Sequence, residues 1–375
     1  MFSSNKTPTI LLIASRTGGP LIPLLALKDD LIMSNPNLNF IIVGIKGGVE
    51  EKLAKQEGIK LVYLPEVKRV YHSNKLQNLV LLIWTMIRLS HSWLLSIIII
   101  LKYKPKLILS TSNFLSVPII WATAFANLFK SKNSKTKIAI HLLDPQNQTI
   151  KLTKNFADLL TTGFESIAKK LGSNAKVVPS PVRHALFDKY TQLEAKNKMV
   201  ELELISHQSA QKPIFLIFGG GSGAEFINDW VEQNAEEICK YCTVFHLTGF
   251  LREKKVRKSQ IQDFYQLEGL TDLMPLVLVA SDAVMARAGM SSISELLYLK
   301  KPAFLIPIPE SHQEQNAALV QNYFQVLNQK DVDQWSGIIQ NQFLTKFEYT
   351  KNVVWDQYPD KNNQKYISWL LDLLK

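Results

Sequence analysis

Cysteine is scarce in this 375-residue chain, which contains only Cys239 and Cys242. They form Cys-Lys-Tyr-Cys at the end of a predicted helix, whereas a thioredoxin-like motif opens its helix. The sequence shows no second cysteine pair or histidine cluster that would complete a zinc site. We therefore expect both thiols to be packing residues. The low cysteine content suits a reducing cytoplasm.

A secretion signal and a nucleic-acid-binding signature are also missing. The apolar run Ile10–Ala14 is too short for a signal peptide and lacks a cleavage-site pattern. A net charge of +11 favours anionic partners, but there is no zinc knuckle, RNA-binding signature or recognition helix. Membrane surfaces and nucleotides are therefore favoured as partners over nucleic acids.

Short apolar strands alternate with helical segments along the whole chain, which predicts parallel, doubly wound α/β sheets. The composition, with 46% hydrophobic and 20% charged residues, is that of a folded protein long enough for two domains. Polar composition at 189–212 suggests a linker between domains. We expect an N-terminal domain at 1–188, the linker at 189–212, a C-terminal domain at 213–350, and a terminal helix within 351–375 that returns to the N-terminal domain.

A glycine-rich turn follows the strand Ile214–Phe218 and has four glycines at positions 219–223. A helix, Ala224–Cys239, is predicted next. Glycines allow backbone N–H groups to approach a ligand closely, and the dipole of the following helix favours phosphate. We expect a diphosphate here, although a tight turn in any α/β domain would have a similar sequence.

A second motif lies about sixty residues later. The strand Asp282–Arg287 runs through Ala288 and Gly289 into a predicted helix, Ser291–Leu299, with Glu295 in its first turn. A carboxylate there can accept hydrogen bonds from the two hydroxyls of a ribose, while Arg287 faces phosphate. The alternative is an ordinary capping box formed by Ser292 and Glu295.

Leu79–Leu101 is the most apolar segment and is long enough to cross a bilayer. The polar cluster from Arg88 to Ser92 predicts instead two shorter apolar helices. An interfacial patch on an anionic membrane is favoured, with a pair of core helices and a transmembrane span as alternatives. The predicted patch residues are Leu81, Trp84 and Leu89, with the basic residues Lys68, Arg69, Lys75, Arg88, Lys102 and Lys104.

Several spaced motifs, in this order, resemble one family. They are Gly219–Ala224 with Asn228, Arg287-Ala-Gly289 with Ser294-Glu295, and His312-Gln313 with Asn316-Ala317. The pattern is similar to that of GT-B glycosyltransferases, and specifically to the family that adds N-acetylglucosamine to undecaprenyl-pyrophosphoryl-N-acetylmuramyl-pentapeptide in peptidoglycan synthesis. The resemblance covers about residues 9 to 325. It implies two Rossmann-like domains that face each other across a cleft.

The resemblance implies an inverting transfer from UDP-N-acetylglucosamine to the 4-hydroxyl of a polyprenyl-diphosphate glycolipid. The enzyme would lie on the cytoplasmic face of the plasma membrane as a peripheral protein. No metal motif is evident, and the family's chemistry implies no cofactor beyond the donor substrate. The donor-binding residues that it implies are Thr17, Gly18, Gly19, Arg183, Gly220, Gly221, Ser222, Gly223, Leu270, Arg287, Gly289, Ser291, Glu295, His312, Gln313 and Asn316.

The N-terminal half departs from the family pattern at the predicted acceptor site. The family's Thr-Gly-Gly-His is Thr17-Gly18-Gly19-Pro20 here, and proline can neither take a proton nor donate a backbone N–H. The second glycine-rich loop is replaced by a Ser-Thr-Ser-Asn sequence ending at Asn113. The family's His-Glu-Gln-Asn becomes Asp144-Pro-Gln-Asn147 if no gap is allowed, whereas His141 matches its histidine if two residues are inserted. The predicted acceptor-binding residues are Asn113, Gln146 and Asn147.

Asp144 is the leading candidate for the catalytic base, and His141 is the second, because both follow a predicted strand toward the cleft. Asp144 before proline is also a good turn starter, and His141 is alternatively a core histidine. Because the loops that would read the acceptor are altered, three other functions stay open. They are transfer to another lipid acceptor, epimerisation of a UDP-sugar, and UDP-sugar binding without catalysis.

Overall fold

A computed structural model describes residues 7–14, 18–66, 75–145, 149–220, 224–249, 261–268, 273–355 and 363–375. In the helix that begins at Lys75, the backbone is described from residue 75 and the side chains from residue 83. The chain forms two compact units, one of residues 1–182 with 359–375 and the other of residues 183–358. Each unit contains a parallel sheet with helices packed on it.

The described part of the first unit contains a seven-stranded sheet. Its strands are β1 (Thr9–Ile13), β2 (Asn39–Gly44), β3 (Lys60–Tyr63), β4 (Leu107–Ser110), β5 (Lys137–Leu142), β6 (Leu159–Thr162) and β7 (Ala175–Val177). Their spatial order is β3-β2-β1-β4-β5-β6-β7, and all neighbours are parallel. The predicted doubly wound arrangement is confirmed for this unit.

Helices cover both faces of this sheet. They are α1 (Gly18–Ser34), α2 (Val49–Gln56), α3 (Lys75–Tyr103), α4 (Ser116–Asn127), α5 (Ile150–Thr153) and α6 (Glu165–Leu171), with 3-10 turns at Lys132–Ser134 and Lys154–Phe156. Strand β1 shows why both faces are covered. Ile10 and Leu12 belong to the cluster that includes residues of α1, whereas Leu11 and Ile13 pack with residues of α3 and α4.

Helix α3 corrects one expectation, because Lys75–Tyr103 is a single helix and not two shorter ones. Its buried serines do not break it. The Ser96 hydroxyl donates to the Ser92 carbonyl at 2.6 Å, and the Ser92 hydroxyl donates to the carbonyl of Pro65 at 3.3 Å. Residues Ile83–Tyr103 are long and apolar enough to cross a membrane by length and composition, and most of this stretch is not buried in the protein.

The second unit contains a six-stranded parallel sheet within its described residues. Its strands are β8 (Ile214–Phe218), β9 (Thr243–Leu247), β10 (Phe264–Leu267), β11 (Ala283–Ala286), β12 (Ala303–Leu305) and β13 (Gln325–Val326), in the order β10-β9-β8-β11-β12-β13. Its helices are α7 (His184–Phe187), α8 (Gln192–Glu201), α9 (His207–Ala210), α10 (Glu225–Ile238), α11 (Met274–Ala280), α12 (Met290–Leu299), α13 (His312–Val320) and α14 (Trp335–Leu344), with 3-10 turns at Gln329–Gln334 and Glu348–Asn352.

Residues 189–212, expected to be a linker, carry helices α8 and α9 as part of the second unit. Ala195 and Met199 of α8 are buried, and Lys196 forms a 2.7 Å ion pair with Asp282. The polar composition that suggested a linker belongs to the exposed side of α8. A capping box of Thr191 and Glu194 starts this helix.

The last helix, α15 (Gln364–Leu374), is part of the first unit. Its buried residues Tyr366, Ile367 and Leu370 join the cluster around Leu24 and Leu27 of α1. The two cysteines lie in the second unit, where both are buried as packing residues. Burial raises the pKa of the Cys239 thiol to about 11, so it remains protonated at neutral pH.

Candidate active site

The second unit brings its two predicted nucleotide motifs together at one edge of the sheet. Strands β8 and β11 are parallel neighbours, with Phe218 paired to Ala286 at their carboxyl ends. The chain order reverses between these strands, which is where open α/β sheets bind ligands. The turn that begins at Gly219 and the segment that begins at Arg287 therefore leave the sheet side by side.

The turn after β8 needs glycine for two separate reasons. A Cβ atom at Gly219 would lie 2.3 Å from the Cβ atom of Ala224, which is the N-cap residue of α10. Gly220 has a φ of +91°, a backbone conformation that other residues rarely adopt. Gly219, where the turn begins, therefore packs directly against the start of α10, and an anion-binding turn needs this close approach.

The segment after β11 is held by contacts from two neighbouring elements. The Arg287 guanidinium donates to the carbonyl of Ile306 at 3.2 Å, and the Gly289 N–H donates to the Arg287 carbonyl at 2.8 Å. The Asn316 amide, from α13, donates to the carbonyl of Ala288 at 3.1 Å. Asn316 is fully buried and supports this segment, and its contact with the donor stays a prediction.

The position of Glu295 differs from the prediction. Helix α12 begins at Met290 after the N-cap Gly289, so Glu295 lies in the second helical turn and not in the first. The capping-box alternative is also wrong, because Ser292 is already inside the helix and no side chain caps it. Although part of Glu295 is accessible to solvent, the protein around its carboxyl group desolvates it and raises its pKa to about 7.

Helix α13 follows β12 and provides the third predicted motif. His312 is exposed at its first position, and Ser311 caps the helix by accepting from the Gln313 N–H at 3.2 Å. The Gln313 side-chain carbonyl accepts from the Ile308 N–H, also at 3.2 Å. This bond fixes the direction of the Gln313 amide at the carboxyl edge of the sheet.

Two further predicted donor-site residues, Ser291 and Arg183, stand next to the starts of helices. Ser291 is partly buried in the first turn of α12, and Arg183 is partly buried immediately before α7. Their contacts with a donor stay predictions. Some predicted site residues lie outside the described residues, and these are Thr17, Gln146, Asn147, Gly221, Ser222, Gly223 and Leu270.

In the first unit, two side chains of the loop after β4 form hydrogen bonds with the end of β1 and the start of α1. Gly18 and Gly19 begin α1, and the Thr111 hydroxyl donates to the carbonyl of Pro20 at 3.0 Å. The Asn113 amide donates to the Ile13 carbonyl, at the end of β1, at 2.8 Å. The predicted acceptor residue Asn113 therefore lies at the carboxyl edge of the sheet, where the order reverses between β1 and β4.

The two candidate bases have different surroundings. Asp144 is partly exposed two residues beyond β5, at the same edge of the sheet. His141 lies inside β5 and is 1% exposed, and its ring nitrogens contact the hydroxyls of Thr161 at 2.9 Å and Ser180 at 3.3 Å. Burial lowers the pKa of His141 to about 3. This is the environment of a core histidine, so Asp144 is the stronger candidate.

No group of three or more histidine, cysteine, aspartate or glutamate residues that could hold a metal ion occurs within the described residues. The expectation that transfer needs no cofactor stays a prediction.

Comparison with known proteins decides the family. Residues 10–143 match the N-terminal domain of glycosyltransferase family 28, and residues 214–348 match its C-terminal domain. The chain belongs to glycosyltransferase family 28. These matches cover both units, so the resemblance drawn from the motifs is confirmed, and the chain is a glycosyltransferase.

Curated relatives match over nearly the whole chain. A Bacillus cereus protein named UDP-N-acetylglucosamine–N-acetylmuramyl-(pentapeptide) pyrophosphoryl-undecaprenol N-acetylglucosamine transferase 3 is 26% identical, over 98% of each chain. A Clostridium kluyveri protein named as the same transferase is 27% identical, over 86% of this chain and 87% of its own. The crystal structure of MurG from Acinetobacter baumannii matches with a TM-score of 0.68 and 14% identity, over 98% of this chain and 99% of that one. The predicted GT-B fold class is confirmed.

Proposed function

We propose that this family 28 enzyme transfers N-acetylglucosamine from UDP-N-acetylglucosamine to undecaprenyl-diphosphate-linked N-acetylmuramyl-pentapeptide. The observation that carries the proposal is the placement of the glycine turn and the Arg287–Glu295 segment on adjacent strands at the switch point of the second sheet. The names of the two curated relatives support the same donor and acceptor.

The donor is bound by the second unit. Backbone N–H groups of the glycine turn and the start of α10 hold the diphosphate, and Arg287 adds positive charge. Glu295 accepts hydrogen bonds from the two ribose hydroxyls, and Gln313 contacts the sugar. The glycines support the first of these roles, because the turn at Gly219 is closed against Ala224.

Transfer proceeds with inversion. The acceptor 4-hydroxyl attacks the anomeric carbon as the bond from that carbon to the diphosphate oxygen breaks, and UDP leaves with the bonding electrons. Asp144 accepts the proton of the hydroxyl. The negative charge that grows on UDP is stabilised by the amides and dipole of α10, which are already in place before the reaction.

The acceptor lipid is embedded in a membrane, and helix α3 offers a surface for it. Ile83, Trp84, Ile87, Leu94 and Ile98 are each more than half exposed. Their spacing puts Ile83, Ile87, Leu94 and Ile98 on one face of the helix. We propose that this face lies in the interface of an anionic membrane, on its cytoplasmic side. Of the patch predicted from the sequence, the side chains of Lys68, Arg69, Lys75 and Leu81 lie outside the described residues.

The positively charged residues along α3 and just after it support the proposal that the membrane is anionic. Arg88, Lys102 and Lys104 are exposed along or just after the helix. Burial and the nearby charges of Lys106 and Lys104 lower the pKa of Lys130, so like charges are concentrated here. Among the described residues, no ion pair joins Lys104, Lys106 or Lys130 to a carboxylate. Anionic headgroups would relieve this repulsion.

One assay tests the transfer. The protein is incubated with radiolabelled UDP-N-acetylglucosamine, with and without the purified lipid acceptor, and the label and free UDP are followed. The proposal predicts label in the lipid and release of UDP that depends on the acceptor. Conversion of the sugar nucleotide without acceptor would indicate epimerisation instead, and binding without turnover would indicate a non-catalytic protein. Transfer to a different polyprenyl or diacylglycerol acceptor alone would contradict the proposed acceptor.

A further inference from the structure

A fully buried histidine in the second unit, His246, has no place in the chemistry described above. It lies in β9, and its ring contacts side chains from two other elements. Nε2 is 3.0 Å from the side-chain oxygen of Asn228 in α10, and Nδ1 is 3.2 Å from the side-chain nitrogen of Gln266 in β10. His246 therefore links the helix after the glycine turn to the edge strand of the sheet.

The hydrogen bonds determine where the proton lies. The Gln266 amide nitrogen can only donate, so His246 Nδ1 accepts. Nε2 then carries the hydrogen and donates to the Asn228 oxygen. This leaves the Asn228 amide nitrogen to donate to the Thr248 carbonyl, which it does at 3.0 Å. In this arrangement His246 is neutral, since a protonated ring would need the Gln266 amide to turn over and present its oxygen to Nδ1.

Two members of this chain, Asn228 and Thr248, also bond to the backbone at the edge of the sheet that carries the donor site. The Asn228 N–H donates to the carbonyl of Ala224 at 2.9 Å, and Ala224 is the residue that packs on Gly219. At the other end, the Thr248 N–H donates to the Leu267 carbonyl at 2.9 Å. The start of α10 is thus fastened to the carboxyl ends of β9 and β10.

We infer that His246 is a positioning residue for the diphosphate of the donor. Its neutral ring fixes the Asn228 amide in one of its two orientations and so holds the start of α10, where Ala224 packs on Gly219, in place. Backbone amides stabilise a phosphate well only when their directions are set before it binds. Without the ring, the Asn228 amide can rotate and its bond to Thr248 is lost. The inference rests on the proposed function, because it needs a nucleoside diphosphate at this turn.

The test compares UDP with UMP, which lacks the β-phosphate. The Kd for UMP divided by the Kd for UDP, both measured by calorimetry on the full chain, reports the contact with the β-phosphate. This ratio is insensitive to partial loss of folded protein. His246→Leu removes the donor to Asn228 and should reduce the preference for UDP about tenfold. In His246→Gln, the side-chain amide can place an N–H near the position of Nε2, so the ratio should stay within about threefold of the wild-type value.

Phe245→Leu is the matched control, since Phe245 is buried on the same strand with its side chain on the opposite face. It should leave the ratio unchanged. A wild-type ratio in His246→Leu, or an equal loss of UMP and UDP affinity, would overturn the inference while leaving the proposed function intact. Absence of UDP binding by the unmodified protein would overturn both.

A second pair of variants covers the case in which His246→Leu does not fold. His246→Asn carries a shorter amide that does not reach Asn228. It should therefore lower the Kd for UMP divided by the Kd for UDP, whereas His246→Gln should not. Equal ratios in these two variants would also overturn the inference.

Discussion

Protonation of Glu295 should control nucleotide binding near neutral pH. Desolvation raises the pKa of this carboxyl group to about 7 in the free protein. The ionised carboxylate accepts from the ribose hydroxyls more strongly than the neutral acid does, since hydrogen bonds to a charged group contribute about 1.5–3 kcal/mol each and those between neutral groups about 0.5–1.5 kcal/mol. UDP should therefore bind preferentially to the ionised protein, and its apparent affinity should fall as the pH is lowered through 7.

The size of the effect follows from the pKa. At pH 8 about nine tenths of the carboxyl groups are ionised, and at pH 6 about one tenth, so the Kd for UDP should rise about tenfold between these values. Glu295→Gln has no carboxylate to titrate. Its Kd should be higher than that of the wild type at pH 8, and the ratio of the two Kd values should shrink as the pH is lowered to 5.5.

The assay is calorimetric titration of UDP into the full chain at several pH values between 5.5 and 8.5. The phosphate of UDP also titrates in this range, but it does so equally for both proteins. The ratio of the Glu295→Gln and wild-type Kd values therefore isolates the carboxylate. Parallel pH curves for the two proteins would refute the role of Glu295 in ribose binding.

Stability gives an independent measure of the same pKa. Because the folded pKa of Glu295 lies above its ordinary value of 4.5, the folded state loses stability as the pH rises from about 4.5 to 7. The loss is at most about 3 kcal/mol, and partial exposure reduces it. Glu295→Gln should therefore raise the Tm of the ligand-free protein at pH 8 and leave it nearly unchanged at pH 4.5. An equal difference in Tm between Glu295→Gln and the wild type at both pH values would show that desolvation of the Glu295 carboxylate does not destabilise the folded state.

Two further predictions concern the first unit. Asp144→Asn should lower kcat about 10²- to 10⁴-fold with little change in the KM for UDP-N-acetylglucosamine, whereas the exposed-surface control Asp372→Asn should not. Undiminished transfer by Asp144→Asn would exclude Asp144 as the base. Replacing both Trp84 and Ile87 by serine should weaken binding to anionic liposomes at least about tenfold in a sedimentation assay, because two apolar side chains lose their burial. The same change at Leu193 and Leu344, which are 69% and 63% exposed in the second unit, is the control, and unchanged binding by the Trp84 and Ile87 variant would contradict the membrane surface.

The donor half of the site could be predicted from the sequence because its chemistry depends on the backbone. A turn such as Gly219–Gly220 needs glycine for steric reasons, and the apolar strand before it is short and clearly bounded. Parallel pairing then places the Arg287 segment beside the turn without any further information. In such a case local sequence and fold topology together specify the site.

Other features depend on tertiary contacts that local patterns do not encode. Polar residues within α3 suggested a break, but Ser92 and Ser96 donate to nearby carbonyls and the helix continues. The polar segment that contains α8 looked like a linker because only Ala195 and Met199 mark its buried side. Glu295 was assigned to the first turn of its helix, but α12 starts at Met290 and a turn takes 3.6 residues, so Glu295 lies in the second.

The loop after β4 stands where the family has its second glycine-rich loop, and in this chain it carries polar side chains instead of glycines. A glycine loop presents backbone N–H groups, which suit phosphate. Here the Thr111 hydroxyl and the Asn113 amide nitrogen instead donate to carbonyls of Pro20 and Ile13. Among the described residues, the side-chain oxygen of Asn113 has no hydrogen-bond partner, and an amide oxygen can only accept. Because this oxygen is also buried, it offers nothing to the acceptor's diphosphate, which must find its positive partners elsewhere in the unit.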